Sequence, residues 1–229
     1  MLKKFEVPLL IGTGKVLYPF ARGRNKTLSK PWLKEKKGNE FLSFEERKII
    51  VENLKGIEKV VVNGGDCAKT KEYLSDFDGI AISEPDKGIS DAFNKGVSKA
   101  SGDNVMFLNS GDVLLSPDYL QEAEKIIKFN PEISFVHSDL VFEDRISGDI
   151  RLTALQPFFF KAPPLGRGMP YHHQSMIVRK KVFEKTGLFK LQYKISMDFD
   201  WVCRLHKNGL DGFYWNKDCL LYSSDDADE

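Results

Sequence analysis

Between Ser83 and Asp112 the chain reads SEPDKGISDAFNKGVSKASGDNVMFLNSGD, two loops rich in acids, glycine and asparagine around one short helix and one apolar strand. From Asp91 to Ala100, residues Ala92, Phe93, Val97 and Ala100 recur at helical spacing and give that helix one apolar face. Ser90 or Asp91 is the expected N-cap, and Gly102 the expected stop. Val105-Met106-Phe107-Leu108 is too short for a helix and has the continuous apolarity of a strand buried on both faces. It ends abruptly in Asn109-Ser110-Gly111-Asp112. A carboxylate at the C-terminal end of a buried strand sits where open α/β sheets bind ligands. The same four residues are ordinary turn formers, so both readings stand at this point.

SEPDKGISDAFNKG followed by FLNSGD resembles the inverting glycosyltransferases of family 2, in particular the branch that builds bacterial surface polysaccharides. Two downstream blocks, HHQSMIVRKKVFEKTGLF and MDFDWVCRL, agree with it, and the likeness runs roughly from Ile57 to Tyr222. The resemblance implies an α/β fold of the GT-A type, with a mixed, mostly parallel central sheet flanked by helices. It also implies an enzyme that takes a sugar from a nucleotide-diphosphate sugar.

Composition bounds what can surround this core. With 41% hydrophobic and 29% charged residues, the 229-residue chain has the make-up of a soluble globular protein. No apolar run approaches a bilayer span, and the N-terminus lacks the apolar segment and cleavage site of a signal peptide. Three widely spaced cysteines without a Cys-x-x-Cys favour reduced thiols, which points to the cytoplasm. Residues 1–60 carry 14 Lys/Arg against 7 Asp/Glu, which could meet phosphates or anionic headgroups. A solvated charged face accounts for most of those lysines, and no nucleic-acid motif accompanies them. One domain over residues 1–223 is expected, divergent over 1–55, with a disordered acidic tail at 224–229.

Val7 to Ile11 reads as a strand. The Gly12-Thr13-Gly14 after it matches neither the dinucleotide fingerprint nor a P-loop. Residues 32–62 echo the back half of cytidylyltransferase-like nucleotidyltransferases, yet no histidine precedes His137 to supply that chemistry. Physically, this part predicts a helix capped by Ser43 and Glu46, with Ile49, Ile50 and Leu54 inward, feeding a strand at Val60–Val62. Asn63-Gly64-Gly65-Asp66 comes next. By resemblance, Asn63 stands where the family carries the acid that contacts the base, and Asp66 is a nearby substitute; a tight glycine turn is the alternative. After a strand at Ala81-Ile82, the resemblance puts Asp86 and Lys87 near the ribose and diphosphate, with Asp91 and Asn94 on the same cleft. Asp91 is equally well a helix cap. The family's Asp-x-Asp is reduced here to Asn109 and Asp112, so Asp112, helped by Asn109, is expected to hold Mg²⁺ or Mn²⁺.

Ser116-Pro117-Asp118 is expected to open a helix to Phe129 with proline at its first position. A strand follows from Ile133 to Phe142, with a hairpin turn at Ser147-Gly148-Asp149. His137 and Asp139 share one face of that strand, as cleft wall or as structural groups. Residues 156–170, with their prolines and Phe158–Phe160, read as an acceptor floor or a lid. Adjacent His172 and His173 on an extended chain point apart, which argues against a paired metal clamp. His173 is the one expected to face the cleft, before a strand at Ser175–Val178. Arg179-Lys180-Lys181 reads as a solvated helix start. By resemblance Asp198 is the catalytic base; it is alternatively an N-terminal acid favoured by the helix dipole, and Asp200 reads as a helix-stabilising or orienting acid. A last strand covers Gly212 to Ser223.

These readings combine into an inverting transferase with a UDP-sugar as the favoured donor. Its acceptor is a glycan or lipid-linked molecule, reached by peripheral contact at the inner face of a membrane. Two alternatives stand beside it: a nucleotidyltransferase, and a non-catalytic relative that binds sugar nucleotide or glycan.

Overall fold

Short apolar runs bounded by glycine and asparagine become strands here, and the amphipathic segments between them cover both faces of the resulting sheet. The computed structural model describes residues 9–12, 57–65, 67–109, 112–114, 118–144, 150–153 and 169–224. Its strands are β1 (Leu9–Gly12), β2 (Lys59–Asn63), β3 (Ile80–Ser83), β4 (Asn104–Asn109) and β5 (Val113–Leu114). Then come β6 (Phe135–Asp144), β7 (Ile150–Thr153), β8 (Ile177–Arg179) and β9 (Gly212–Ser224). The helices are α1 (Ala68–Ser75), α2 (Ile89–Lys99), α3 (Tyr119–Phe129), α4 (Val182–Thr186) and α5 (Met197–Lys207).

The strand order is β3-β2-β1-β4-β8-β6-β9-β5, with β7 on the side of β6. β3, β2, β1 and β4 run parallel. β8 is antiparallel to both β4 and β6, and β9 returns parallel to β6. The sheet is therefore mixed, with one contiguous parallel half.

Alternation along β4 sorts the core into two layers. Val105 and Phe107 join Phe93 of α2, Phe183 of α4 and Trp201 of α5 on one face. Met106 and Leu108 join Tyr119, Ala123 and Ile127 of α3 on the other. Phe107 stacks on Phe93 at 4.3 Å and meets Phe189 edge-on at 5.5 Å. A buried aromatic of this kind contributes on the order of 2 kcal/mol by area alone.

Several boundaries differ from the sequence expectation. α2 starts at Ile89 behind Gly88 (φ 116°) and its C-cap is Ala100, not Gly102. Neither Ser90 nor Asp91 is its N-cap, because Asp91 lies inside the first turn and reaches back to accept the Lys87 N–H at 3.0 Å. α3 begins at Tyr119 behind Asp118, so Pro117 is not its first residue. The strand expected from Ser175 is a 3₁₀ turn, His173–Ser175, and β8 starts only at Ile177. Ser175 causes this: its hydroxyl donates inward to the Ser138 carbonyl at 2.8 Å, and its N–H closes on His172 at 3.0 Å. Arg179 is not a solvated cation either. Its guanidinium donates to the carbonyls of Ile127, Asn130 and Ile133, tying off the C-terminal end of α3.

The helix expected after Ser43, the Thr13-Gly14 loop, the turn at 147–149, the segment 156–168 and the tail at 225–229 lie outside the described residues.

Candidate active site

Gly12, Asn63, Ser83 and Asn109 end the four parallel strands side by side. Gly12 is level with Val62 and Asn109, and Asn63 with Ser83. Since β1 separates β2 from β4, the ends of those two strands stand about 10 Å apart. Two clusters of predicted residues occupy this edge.

The first surrounds the end of β2. Asn63 is buried, and its side chain closes a local turn. Its Oδ1 accepts the Gly65 N–H at 3.2 Å, while Nδ2 donates to the Gly65 carbonyl at 3.2 Å and to Ser83 Oγ at 3.0 Å. Asp86 folds over this turn and accepts the Gly88 N–H at 2.8 Å. A Cβ on Gly64 would lie 1.7 Å from the Asp86 carboxylate, so only glycine lets that carboxylate approach the strand end. Asp66 lies outside the described residues.

The second cluster joins the end of β4 to the start of α5. Asp112 is buried, and one carboxylate oxygen accepts the Asn109 N–H at 2.9 Å. Burial pushes the Asp112 carboxyl up to about 7, with the Asn109 N–H and the nearby His173 only partly opposing it. Asn109 Nδ2 lies 3.4 Å from His173 Nε2, and His173 Nδ1 lies 3.1 Å from the Asp198 carboxylate. Read as one network, the amide donates to Nε2 and the protonated Nδ1 donates to Asp198. That orientation leaves Asn109 Oδ1 buried with no partner among the described residues. Burial alone would raise the Asp198 carboxyl; the hydrogen bond from His173 foremost, with the Phe199 N–H, outweighs it and holds the group below its ordinary value. One imidazole therefore touches both Asp198 and the turn that carries Asp112.

Asp198 owes its position to an uncommon backbone. Ser196, the residue before α5, has φ 57° and ψ 30°, a left-handed conformation that costs a non-glycine residue about 1–2 kcal/mol. Asp200, one turn in, is held by Arg204 (2.8 Å) and Lys190 (3.1 Å).

Other predicted residues have structural partners. Asp91 takes the Lys87 N–H and pairs with Lys95 at 3.3 Å, which also meets Glu84 at 3.0 Å. Asn94 clamps the backbone of Phe189 in both directions, donating to its carbonyl (2.8 Å) and accepting its N–H (2.9 Å). Lys87 contributes its backbone N–H to this arrangement. His137 is packed among Phe135, Tyr171 and Tyr214, and Asp139 accepts the Tyr214 hydroxyl at 2.7 Å. They are structural groups rather than a cleft wall. A separate cavity of about 640 Å³, lined by residues that include Asp103, Arg179 and Phe183, lies by the opposite end of β4 and contains none of the predicted site residues.

The family model described as "Glycosyl transferase family 2" matches residues 47–187. The chain belongs to glycosyltransferase family 2. Among relatives, it is 32% identical over 155 residues to a protein of Mycobacterium tuberculosis named "Uncharacterized glycosyltransferase", covering 65% of this chain and 56% of that one. The chain thus spans a little over half the length of the curated relatives it matches. In fold it is similar to Staphylococcus aureus TarS in complex with UDP-GlcNAc, at TM-score 0.62 and 14% identity over 96% of this chain and 58% of that chain. It is also similar to the mannosyltransferase PcManGT of Pyrobaculum calidifontis in complex with GDP-Man and Mn²⁺, at TM-score 0.57 and 14% identity, covering 94% and 56%. The expected GT-A fold is the fold of this chain.

As a family 2 member, the chain departs from sequence expectation chiefly at His173, which was expected only to face the cleft and turns out to join two of its carboxylate-bearing segments. Gly64 and Ser196 were not singled out as site residues. The Gly64-Gly65 pair was visible as a turn, but the Asp86 that needs the space lies 22 residues on. Nothing in the sequence marks Ser196 as left-handed.

Proposed function

We propose that this chain is an inverting, metal-assisted glycosyltransferase that moves a sugar from a nucleotide-diphosphate sugar to an acceptor hydroxyl. The observation that carries the reading is the single His173 imidazole, bonded to Asp198 on one side and in contact with the Asn109–Asp112 turn on the other. An acceptor hydroxyl is a poor nucleophile until a positioned base takes its proton. Asp198 is that base. As the acceptor oxygen bonds to the anomeric carbon, its proton passes to the Asp198 carboxylate and the bond to the diphosphate breaks. The nucleoside diphosphate leaves from the opposite face, so the anomeric centre inverts. His173 holds the carboxylate in register and ionised.

Asp112 and the partnerless Asn109 Oδ1 are hard oxygen donors that fit Mg²⁺ or Mn²⁺. No three His, Cys, Asp or Glu gather as a metal cluster among the described residues, so water and donor oxygens would complete the coordination. When bound, the ion would neutralise charge on the departing diphosphate. The glycine turn at Asn63 and the Asp86 carboxylate beside it form the nucleoside end. The neighbours named with UDP-GlcNAc and GDP-Man support a nucleotide-sugar donor, and a UDP-sugar remains the favoured one. A glycan or lipid-linked molecule is the acceptor.

Incubation with a panel of sugar nucleotides and Mn²⁺, followed by nucleoside diphosphate release, tests this directly. Release that disappears in Asp198→Asn, with the melting temperature retained, supports the reading. Pyrophosphate release from CTP would support the nucleotidyltransferase, and binding without release the non-catalytic relative; either result contradicts it.

A further inference from the structure

The described residues expose five large apolar side chains, and four of them fall within eight positions: Leu188 (40%), Leu191 (44%), Tyr193 (37%) and Ile195 (50%). They lie on the segment between α4 and α5, which ends at Ser196 and delivers the chain to Asp198. The same stretch carries Lys190 and Lys194, Lys185 lies just before it in α4, and residues 185 to 195 contain no acid. Its underside is fixed. Phe189 is buried against Phe93, Phe107 and Trp201, Asn94 holds both backbone groups of Phe189, and Ser90 Oγ donates to the Tyr193 carbonyl at 3.2 Å. The apolar side chains are thus presented outward by an anchored backbone.

We propose that residues 188–195 form a docking surface for an anionic lipid bilayer, on the rim that carries Asp198. Lys190 is paired with Asp200 at 3.1 Å, so the charge match rests on Lys185 and Lys194. Grouped apolar side chains flanked by lysines, in a run with no acid of its own, match the headgroup–acyl boundary, where long cations reach headgroup phosphates while apolar groups insert. Lys190 lies 5.6 Å over the Tyr193 ring, and tyrosine favours that boundary. A second copy of the chain fits less well, since a two-fold contact through this patch would bring its lysines against their own equivalents. Contact here would hold the catalytic rim against the bilayer, where a lipid-linked acceptor resides. That consequence rests on the transferase reading; the docking surface itself does not.

Co-sedimentation of the full chain with phosphatidylcholine vesicles, made with and without phosphatidylglycerol, tests the proposal. The wild type is expected to bind the phosphatidylglycerol vesicles more tightly. Leu191→Glu/Ile195→Glu is expected to lose at least about tenfold in that affinity, and Lys194→Glu to lose part of it. Phe129→Glu, which alters the exposed apolar residue on α3 (78% exposed), is expected to bind as wild type. Matching melting temperatures establish that the variants fold. Failure of the wild type to bind phosphatidylglycerol vesicles, or undiminished binding by the double variant, overturns the proposal. So does sedimentation velocity showing a wild-type dimer that the double variant dissociates while vesicle binding persists. Nucleoside diphosphate release with a water-soluble acceptor, expected to be unchanged in the double variant, reads the transferase reading separately from the vesicle arms.

Discussion

Burial would raise the Asp198 carboxyl, and His173 is the principal group that counters it. Removing the imidazole therefore has a direction. His173→Ala is expected to shift the acid limb of the pH profile of kcat/KM upward and to lower kcat about tenfold or more. His173→Gln, which keeps a donor, should restore part of both. A merely structural histidine would change the melting temperature and leave the acid limb in place. His137 makes the opposite case. Burial pushes it down to about 3, with the nearby His172 adding to the effect. Between that value and its ordinary 6.5 the unfolded chain binds more protons than the folded one, so stability falls as the pH drops through this window. His137→Phe should remove about 2 kcal/mol of the stability lost between pH 7 and pH 5, measured by urea unfolding at the two pH values. Asp112 and Asp198 sit in recognisable blocks, which is why the sequence singles them out. The bridging position of His173 was not legible, because it depends on contacts 25 and 64 residues away.

Elements explain how those contacts arise. The Val105–Leu108 run was legible as a buried strand because continuous apolarity leaves few other options. It emerged one residue longer at each end, with both terminal asparagines buried. The start of β8 was misread because Ser175 bonds across to β6, a partner that local pattern cannot name. Asn94 and Asp91, expected on the cleft, fasten the segment before α5 and the start of α2. Asn94→Leu should leave both backbone groups of Phe189 unpaired and cost about 2–3 kcal/mol in chemical denaturation. It should also raise the KM for acceptor, since the rim beside Asp198 is loosened. On the other side of the edge, Gly64→Ala forces the Asp86 carboxylate away from the strand end. The expected outcome is a donor KM raised about tenfold, read by steady-state kinetics, with little change in melting temperature.

At the scale of the whole molecule, the four parallel strands form a shelf whose C-terminal edge carries Asn63 and Asn109, and α5 brings Asp198 over it from a segment 89 residues downstream of Asn109. The GT-A architecture followed from the sequence blocks, but the crossing of α5 onto β4 through His173 required the folded chain. No helix among the described residues is long and apolar enough to cross a membrane. The account depends on two acids acting on opposite sides of one sugar. A crystal structure with an unreactive UDP-sugar analogue and Mn²⁺ measures that geometry. The predicted result is the ion on Asp112 and Asn109 Oδ1, with the anomeric carbon between the diphosphate and the Asp198 carboxylate. A nucleotide bound away from the end of β4, or a different acid nearest the anomeric carbon, would contradict it.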